Sequence, residues 1–222
     1  LVSQSGGATL SSMESDVVTI AYMEDSITTN DMGLSTTVPG TSDHVTVEYI
    51  AGYVNGNWAN ATANAKEWGD NKNVRLVTID TNGNAPSADV LDVENGDASP
   101  ETAAWWIKHR IAGGYNKDYP GVIYCNRGNI TAVFNAMAGM GYKIGKDFRT
   151  WIATLDGTKT VADMTGVTAV QVWPAAGQPG PATSGHFDLS IVYDTAWKVP
   201  SVATVAPPVT TKTIESVTVK YS

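Results

Sequence analysis

The chain reads as an α/β protein: a compact (β/α)8 barrel of the TIM type, with several helices reduced to loops. Three observations predict it. Eight short apolar runs recur between residues 16 and 193, separated by helix-like or crossover segments. Strands joined in that way form parallel sheets, and eight of them close a barrel. Several runs turn polar on alternate residues near their C-terminal ends, whereas an open sheet covered by helices on both faces is apolar on both. Finally, 222 residues with 42% hydrophobic and 16% charged suffice to bury a core of that size.

In chain order, the first four strands are expected over 16–25 (DVVTIAYMED), 48–56 (EYIAGYVNG), 74–80 (VRLVTID) and 88–94 (ADVLDVE). The last four follow over 121–126 (GVIYCN), 148–155 (FRTWIATL), 167–173 (VTAVQVW) and 186–193 (HFDLSIVY). A helix is expected over 99–113, because Ser99 can cap it, Pro100 suits its first position, Glu101 its first turn, and Gly113-Gly114 stop it. A second spans 129–141, where apolar residues recur at helical spacing, and a weaker one 60–69. Trp105 and Trp106 are assigned to packing between the first helix and the barrel. The barrel domain is placed at 16–199, after a polar, Gly/Ser-rich N-terminal extension (1–15). Residues 200–222 join a Pro-rich linker to an alternating strand pattern. A lone strand is not stable, so this arm is expected to start a further module or to pair with a partner subunit.

Composition removes several function classes. A net charge of −8 without a basic patch argues against nucleic acid and anionic membranes. No apolar run reaches the roughly eighteen residues of a membrane span. His44, His109 and His186 are far apart and lack ligand spacing, so no metal is expected. Cys125 is the single cysteine; it excludes an internal disulfide and, inside an apolar run, reads as a buried structural thiol. No cofactor motif is present: the GGY and GMG pieces are turns rather than phosphate loops. The segment after the seventh strand, AAGQPGPATSG, carries no basic residue for a phosphorylated metabolite.

What remains is a set of carboxylates. Alternate strand residues face the same side. Leu91 and Val93 would therefore face outward while Asp92 and Glu94 face the barrel interior. Likewise Phe187, Leu189 and Ile191 would face out, leaving Asp188 and Ser190 inward, and Val170 and Val172 out, leaving Gln171 and Trp173 inward. In such barrels the working residues lie at the C-terminal ends of the strands. Asp25, Asp92, Glu94 and Asp188 are thus expected around one mouth, strands one and eight meeting at closure and strand four lying across. Like charges held together raise each other's pKa. Glycosidic hydrolysis uses that equipment: one carboxyl kept protonated and another ionised. Glu94, with the longer arm, is the better acid. Tyr53, Tyr124, Trp151 and Trp173 would offer flat faces to a sugar beside Gln171.

The order of these landmarks resembles glycoside hydrolase family 25, the lysozyme-type muramidases, and especially a divergent actinobacterial and actinophage branch. The matching features are Asp25 in YMEDS, LDVE at 91–94, PGVIYCN with Tyr124, WIATL with Trp151, Gln171-Val172-Trp173, and FDLS with Asp188. The resemblance implies cleavage of the β-1,4 bond between N-acetylmuramic acid and N-acetylglucosamine in peptidoglycan, at the cell wall or from a phage particle, without a cofactor. It implies Glu94 as general acid, Asp92 positioning the N-acetyl group or the oxocarbenium centre, and Asp25 and Asp188 completing the acidic floor. The chain departs from the family pattern at Glu24, which precedes Asp25 and competes for its role, at AGYVNGNW and TIDTNG, at Ser190 and at Trp173. Those departures, the acidic charge and the arm at 212–222 support an alternative: a non-catalytic glycan-binding or structural module of a phage virion or cell-surface assembly, meeting other subunits through residues 200–222.

Overall fold

The computed structural model describes residues 20–26, 33, 35–56 and 74–197. The extension at 1–15, the weak helix at 60–69 and the arm at 200–222 lie outside the described residues. The elements are β1 (Ala21–Asp25), β2 (Ser35–Thr37), β3 (His44–Tyr53), β4 (Arg75–Asp80), β5 (Val90–Val93) and α1 (Pro100–Ala112). They continue as β6 (Gly121–Asn126), α2 (Ile130–Gly139), β7 (Phe148–Ala153), β8 (Val167–Trp173) and β9 (Asp188–Val192).

Hydrogen bonding runs β1-β9-β8-β7-β6-β5-β4-β3, and a parallel β1–β3 pairing closes the ring into an eight-stranded barrel. Strand β2, which the sequence pattern does not announce, lies outside the ring as an antiparallel partner of β3. The expectation of a wholly parallel sheet is corrected at one strand. Strand β9 runs antiparallel to both β1 and β8, while the other ring pairings are parallel. This reversal brings the first residue of β9, Asp188, to the end of the barrel where the other strands finish.

All eight ring strands contribute to one interior cluster, from Met23 and Tyr49 through Val77, Val90, Tyr124 and Trp151 to Ala169 and Val192. The rings Tyr49, Tyr124 and Trp151 share that interior with the small Ala21, Ala51, Ala153 and Ala169, which lets the side chains interdigitate. Outside, α1 and α2 cover β5 and β6: Ala103, Trp106, Ile107, Val133 and Met137 pack on Leu91, Val93, Ile123 and Cys125. Burial pushes the Cys125 thiol up to about 12, as suits an inert core residue. On the opposite flank no described helix covers β8 and β9. Val38 and Val45 from the β2–β3 hairpin, with Met164 and Tyr193, take that place.

Helix α1 begins as its sequence dictates: the Ser99 hydroxyl accepts from the Thr102 amide at 3.2 Å. Its buried positions, Ala103, Ala104, Trp106, Ile107 and Arg110, recur every three or four residues. Neighbouring helical positions point about 100° apart, and Trp105 falls outside the stripe that Ala103, Ala104, Trp106 and Ile107 turn toward the barrel. Trp105 is 53% exposed, under Lys108 Nζ at 4.4 Å, which corrects its assignment to the interface. Trp173 is also corrected: it joins the outer cluster with Phe187 and Val172, since the β8–β9 ladder slips between Gln171 and Trp173 and breaks the alternation.

Candidate active site

Three strands deliver the acids. Asp25 is the last residue of β1 and Asp188 the first of β9, and the antiparallel register makes them direct partners. Opposite partners on one sheet face stand about 4.5–5.5 Å apart at Cβ. Asp92 comes from β5, and Glu94 follows immediately beyond that strand. Asp25 and Asp92 are only 6% and 5% exposed, and Glu94 and Asp188 are half-buried.

Each acid is held above the ordinary carboxyl range. Burial is the main cause for Asp25, followed by the negative charges of Asp188, Asp92, Glu94 and Glu24. Asp92 is pushed up to about 8 by burial, then by Glu94 and Asp97. Glu94 is raised by burial and Asp97 and drawn back by a hydrogen bond with Asn126, with Asp188 raising it further. Asp188 is raised by burial and drawn back by the Ala175 backbone N–H and by the Gln171 amide. The four groups therefore act on one another across one space. Among the described residues the ion pairs are Arg127–Asp156, Lys146–Asp147 and Arg149–Asp194, and none includes these acids. One acceptor is left over: Asp92 Oδ1 is buried and has no hydrogen-bond partner.

Beside Asp25 and Asp188 opens a cleft of about 530 Å³. Ser26, Tyr53 and His186 line it, and the loops after β7 and β8 form an apolar wall of Leu155, Pro174, Ala175, Ala176 and Pro179, with Gln178. The wall is held in an unusual backbone shape. Leu155 is left-handed (φ 55°), and Gly180 comes so near that a Cβ there would lie 2.7 Å from the Leu155 carbonyl oxygen. Ser26 is tied across the cleft by its hydroxyl, which donates to the His186 carbonyl at 2.8 Å. These loop residues carry no periodicity, and nothing in the sequence singles them out except Pro and Gly after a strand.

The residues expected to bind substrate divide in three. Tyr53 lines the cleft itself, close enough to Asp25, Asp92 and Asp188 for their charges, after burial, to raise its phenol. Tyr124, Trp151 and Gln171 form the buried layer beneath. Tyr124 meets Trp151 edge-on at 4.8 Å, Trp151 Nε1 donates to Ser190 Oγ at 3.0 Å, and the Tyr124 hydroxyl donates to Gln171 Oε1. Gln171 Nε2 in turn faces both oxygens of Asp25, at 3.4 and 3.5 Å. Trp173, on the outer side, is not brought to this site.

Glu24 turns away from the mouth. Its Oε2 accepts from the Gly33 amide at 2.8 Å, and it borders a separate pocket with Thr36, His44 and Phe187. Burial pushes it up to about 7. Asp25, not Glu24, therefore faces the other acids. Among the described residues no three His, Cys, Asp or Glu side chains are grouped to hold a metal ion, and no helix is long and apolar enough to cross a membrane.

No protein-family model and no curated protein matches the chain. Among solved structures, a family 25 glycosyl hydrolase from Bacillus anthracis is similar to it, with a TM-score of 0.43 and 14% identity over 67% of this chain and 79% of that one.

Proposed function

We propose that the protein is a carboxylate-dependent glycan hydrolase of the muramidase type, cleaving β-1,4 bonds of peptidoglycan at the cell wall. The observation that carries this reading is the meeting of Asp25, Asp92, Glu94 and Asp188, from three strands, around a mouth beside an open cleft. In this reading Glu94, raised and half-buried, gives its proton to the glycosidic oxygen as the carbon–oxygen bond breaks. One negative charge on the Asp25–Asp188 pair balances the positive charge that develops at the anomeric carbon. Water then adds to that carbon, and its proton returns to the Glu94 carboxylate. The free Oδ1 of Asp92 suits the N–H of an acetamido group, which would satisfy that buried acceptor. Tyr53 supplies a flat face at the cleft.

Among the described residues no cation pairs with these acids, which favours a glycan whose reacting rings carry little negative charge, since a polyanion would meet the acids unscreened. Purified actinobacterial peptidoglycan is the test substrate, with release of reducing ends as the readout. Steady release supports the reading. No release, with the protein still retained on the walls, contradicts turnover and moves the assignment to a glycan-binding module.

A further inference from the structure

We propose that Gln171 is a positioning residue of the mouth: its amide, locked by Tyr124, makes Asp25 and Asp188 a proton-sharing pair that holds a single negative charge between its two titration steps. The inference rests on the hydrolase reading for its purpose but not for its test. Gln171 is 1% exposed, so its orientation is set by its neighbours. Its Oε1 accepts from the Tyr124 hydroxyl, and its Nε2 faces both Asp25 oxygens while also acting on Asp188. Reversing the amide would set its oxygen against the carboxylates. The Tyr124 hydroxyl therefore fixes which end of the amide meets the acids.

The choice of an amide has a chemical consequence. Two carboxyl groups side by side do not both ionise at modest cost, so they share one proton. An Arg or Lys in the place of Gln171 would neutralise the pair and let both members ionise. An amide offers N–H donors without charge, so it steadies one carboxylate and leaves the pair with a single negative charge. Among the described residues, the titratable groups that act on the pair or line its cleft are Glu24 on β1, Tyr53 on β3, Asp92 and Glu94 at β5, Tyr124 on β6, and His186 just before β9. On β9, Ser190 Oγ accepts from Trp151 Nε1 at 3.0 Å. Two uncharged donors thus reach the pair: the Ala175 backbone N–H on Asp188 Oδ1 at 2.5 Å, and the Gln171 amide, the side-chain donor that also faces Asp25 and so bears on where the pair's proton resides.

The test follows side-chain carboxyl resonances by carbon-13 NMR across a pH titration of the full chain, comparing the parent with Gln171→Leu, Gln171→Asn and Tyr124→Phe. Asp25→Asn and Asp188→Asn assign the two signals. In the parent the pair is expected to lose its protons in two separated steps. In Gln171→Leu the lower step is expected to move up by about one pH unit, a tenfold weaker acid, because the ionised member has lost its donor. Gln171→Asn, too short to reach, is expected to do the same, and Tyr124→Phe to move the step the same way by less. Unchanged steps in a variant that keeps the parental near-UV circular dichroism would overturn the proposal. Should Gln171→Leu fail to fold, Tyr124→Phe, which deletes one hydroxyl, decides alone. The readout needs no turnover: shifted steps in a protein that releases no sugar would retain the pair and reject the hydrolase reading. In an active protein the acidic limb of the kcat/KM profile is expected to rise with the lower step.

Discussion

The two ends of the barrel handle charge in opposite ways. At the end where β4 and β7 begin, the half-buried charges Arg75, Arg149 and Asp194 are each hydrogen-bonded. Arg149 Nη2 meets Asp194 Oδ2 at 2.7 Å, and the same oxygen accepts from the Tyr119 hydroxyl at 2.8 Å. Arg75 donates to the Thr195 carbonyl at 3.0 Å and to the Tyr49 hydroxyl, and the Trp197 ring stacks on Tyr49 and Tyr119 to close the floor. At the other end, among the described residues, four acids gather without an ion pair and Asp92 Oδ1 has no partner. Both ends are built from the same strands with the same alternation, so the barrel does not force the contrast. The floor is arranged for stability. The mouth gives up stability for carboxyls held away from their ordinary pKa, as the proposed hydrolase reading requires.

That contrast can be broken from either side. The largest effect is expected at Glu94: Glu94→Gln should lower reducing-end release by about 10²–10⁴-fold, the usual contribution of a general acid, while stability stays within about 1 kcal/mol. Paired rate and unfolding measurements check it; equal rates in variant and parent would remove Glu94 from the mechanism. At the floor, Asp194→Ala should do the reverse. It strands Arg149 and Tyr119, which should cost about 2–3 kcal/mol in urea unfolding, and should leave the rate per folded molecule unchanged. The smallest change is expected at Tyr53→Phe, which keeps the ring and removes the hydroxyl. Because the role assigned to Tyr53 is its flat face, KM and kcat should both stay within about 2-fold of the parent in steady-state reducing-end assays.

Much of this arrangement is legible in the residues. The alternation of Leu91, Asp92 and Val93, and of Phe187, Leu189 and Ile191, assigns inner and outer faces that the two packing clusters reproduce. It also places Asp25, Asp92, Glu94 and Asp188 toward one space. Strand direction is not legible, because a period of two reads the same both ways. Asp188 reaches the mouth by starting a reversed strand rather than by ending a parallel one. A ladder slip is equally silent, and it moves Trp173 to the outer face. The apolar wall of the cleft is hidden too, since its shape depends on a left-handed Leu155 and a close Gly180 rather than on any repeat. The role of Gln171 is visible only once Tyr124 and Asp25 stand on either side of it.

The central claim is that buried acids converge on an uncompensated mouth, and the pH dependence of folding stability tests it most directly. Asp92 titrates at about 8 in the folded chain and near 4 when unfolded. Between those values the folded state binds more protons, so this group's contribution to stability must fall as pH rises. Urea unfolding of the parent and of Asp92→Asn from pH 4 to pH 9 measures that contribution by difference. The two should converge near pH 4, with the variant progressively the more stable toward pH 9, by on the order of 5 kcal/mol for folded and unfolded values about four pH units apart. Parallel curves across the whole range would mean that Asp92 is solvated or paired like any surface carboxylate, and the mouth as described would not exist.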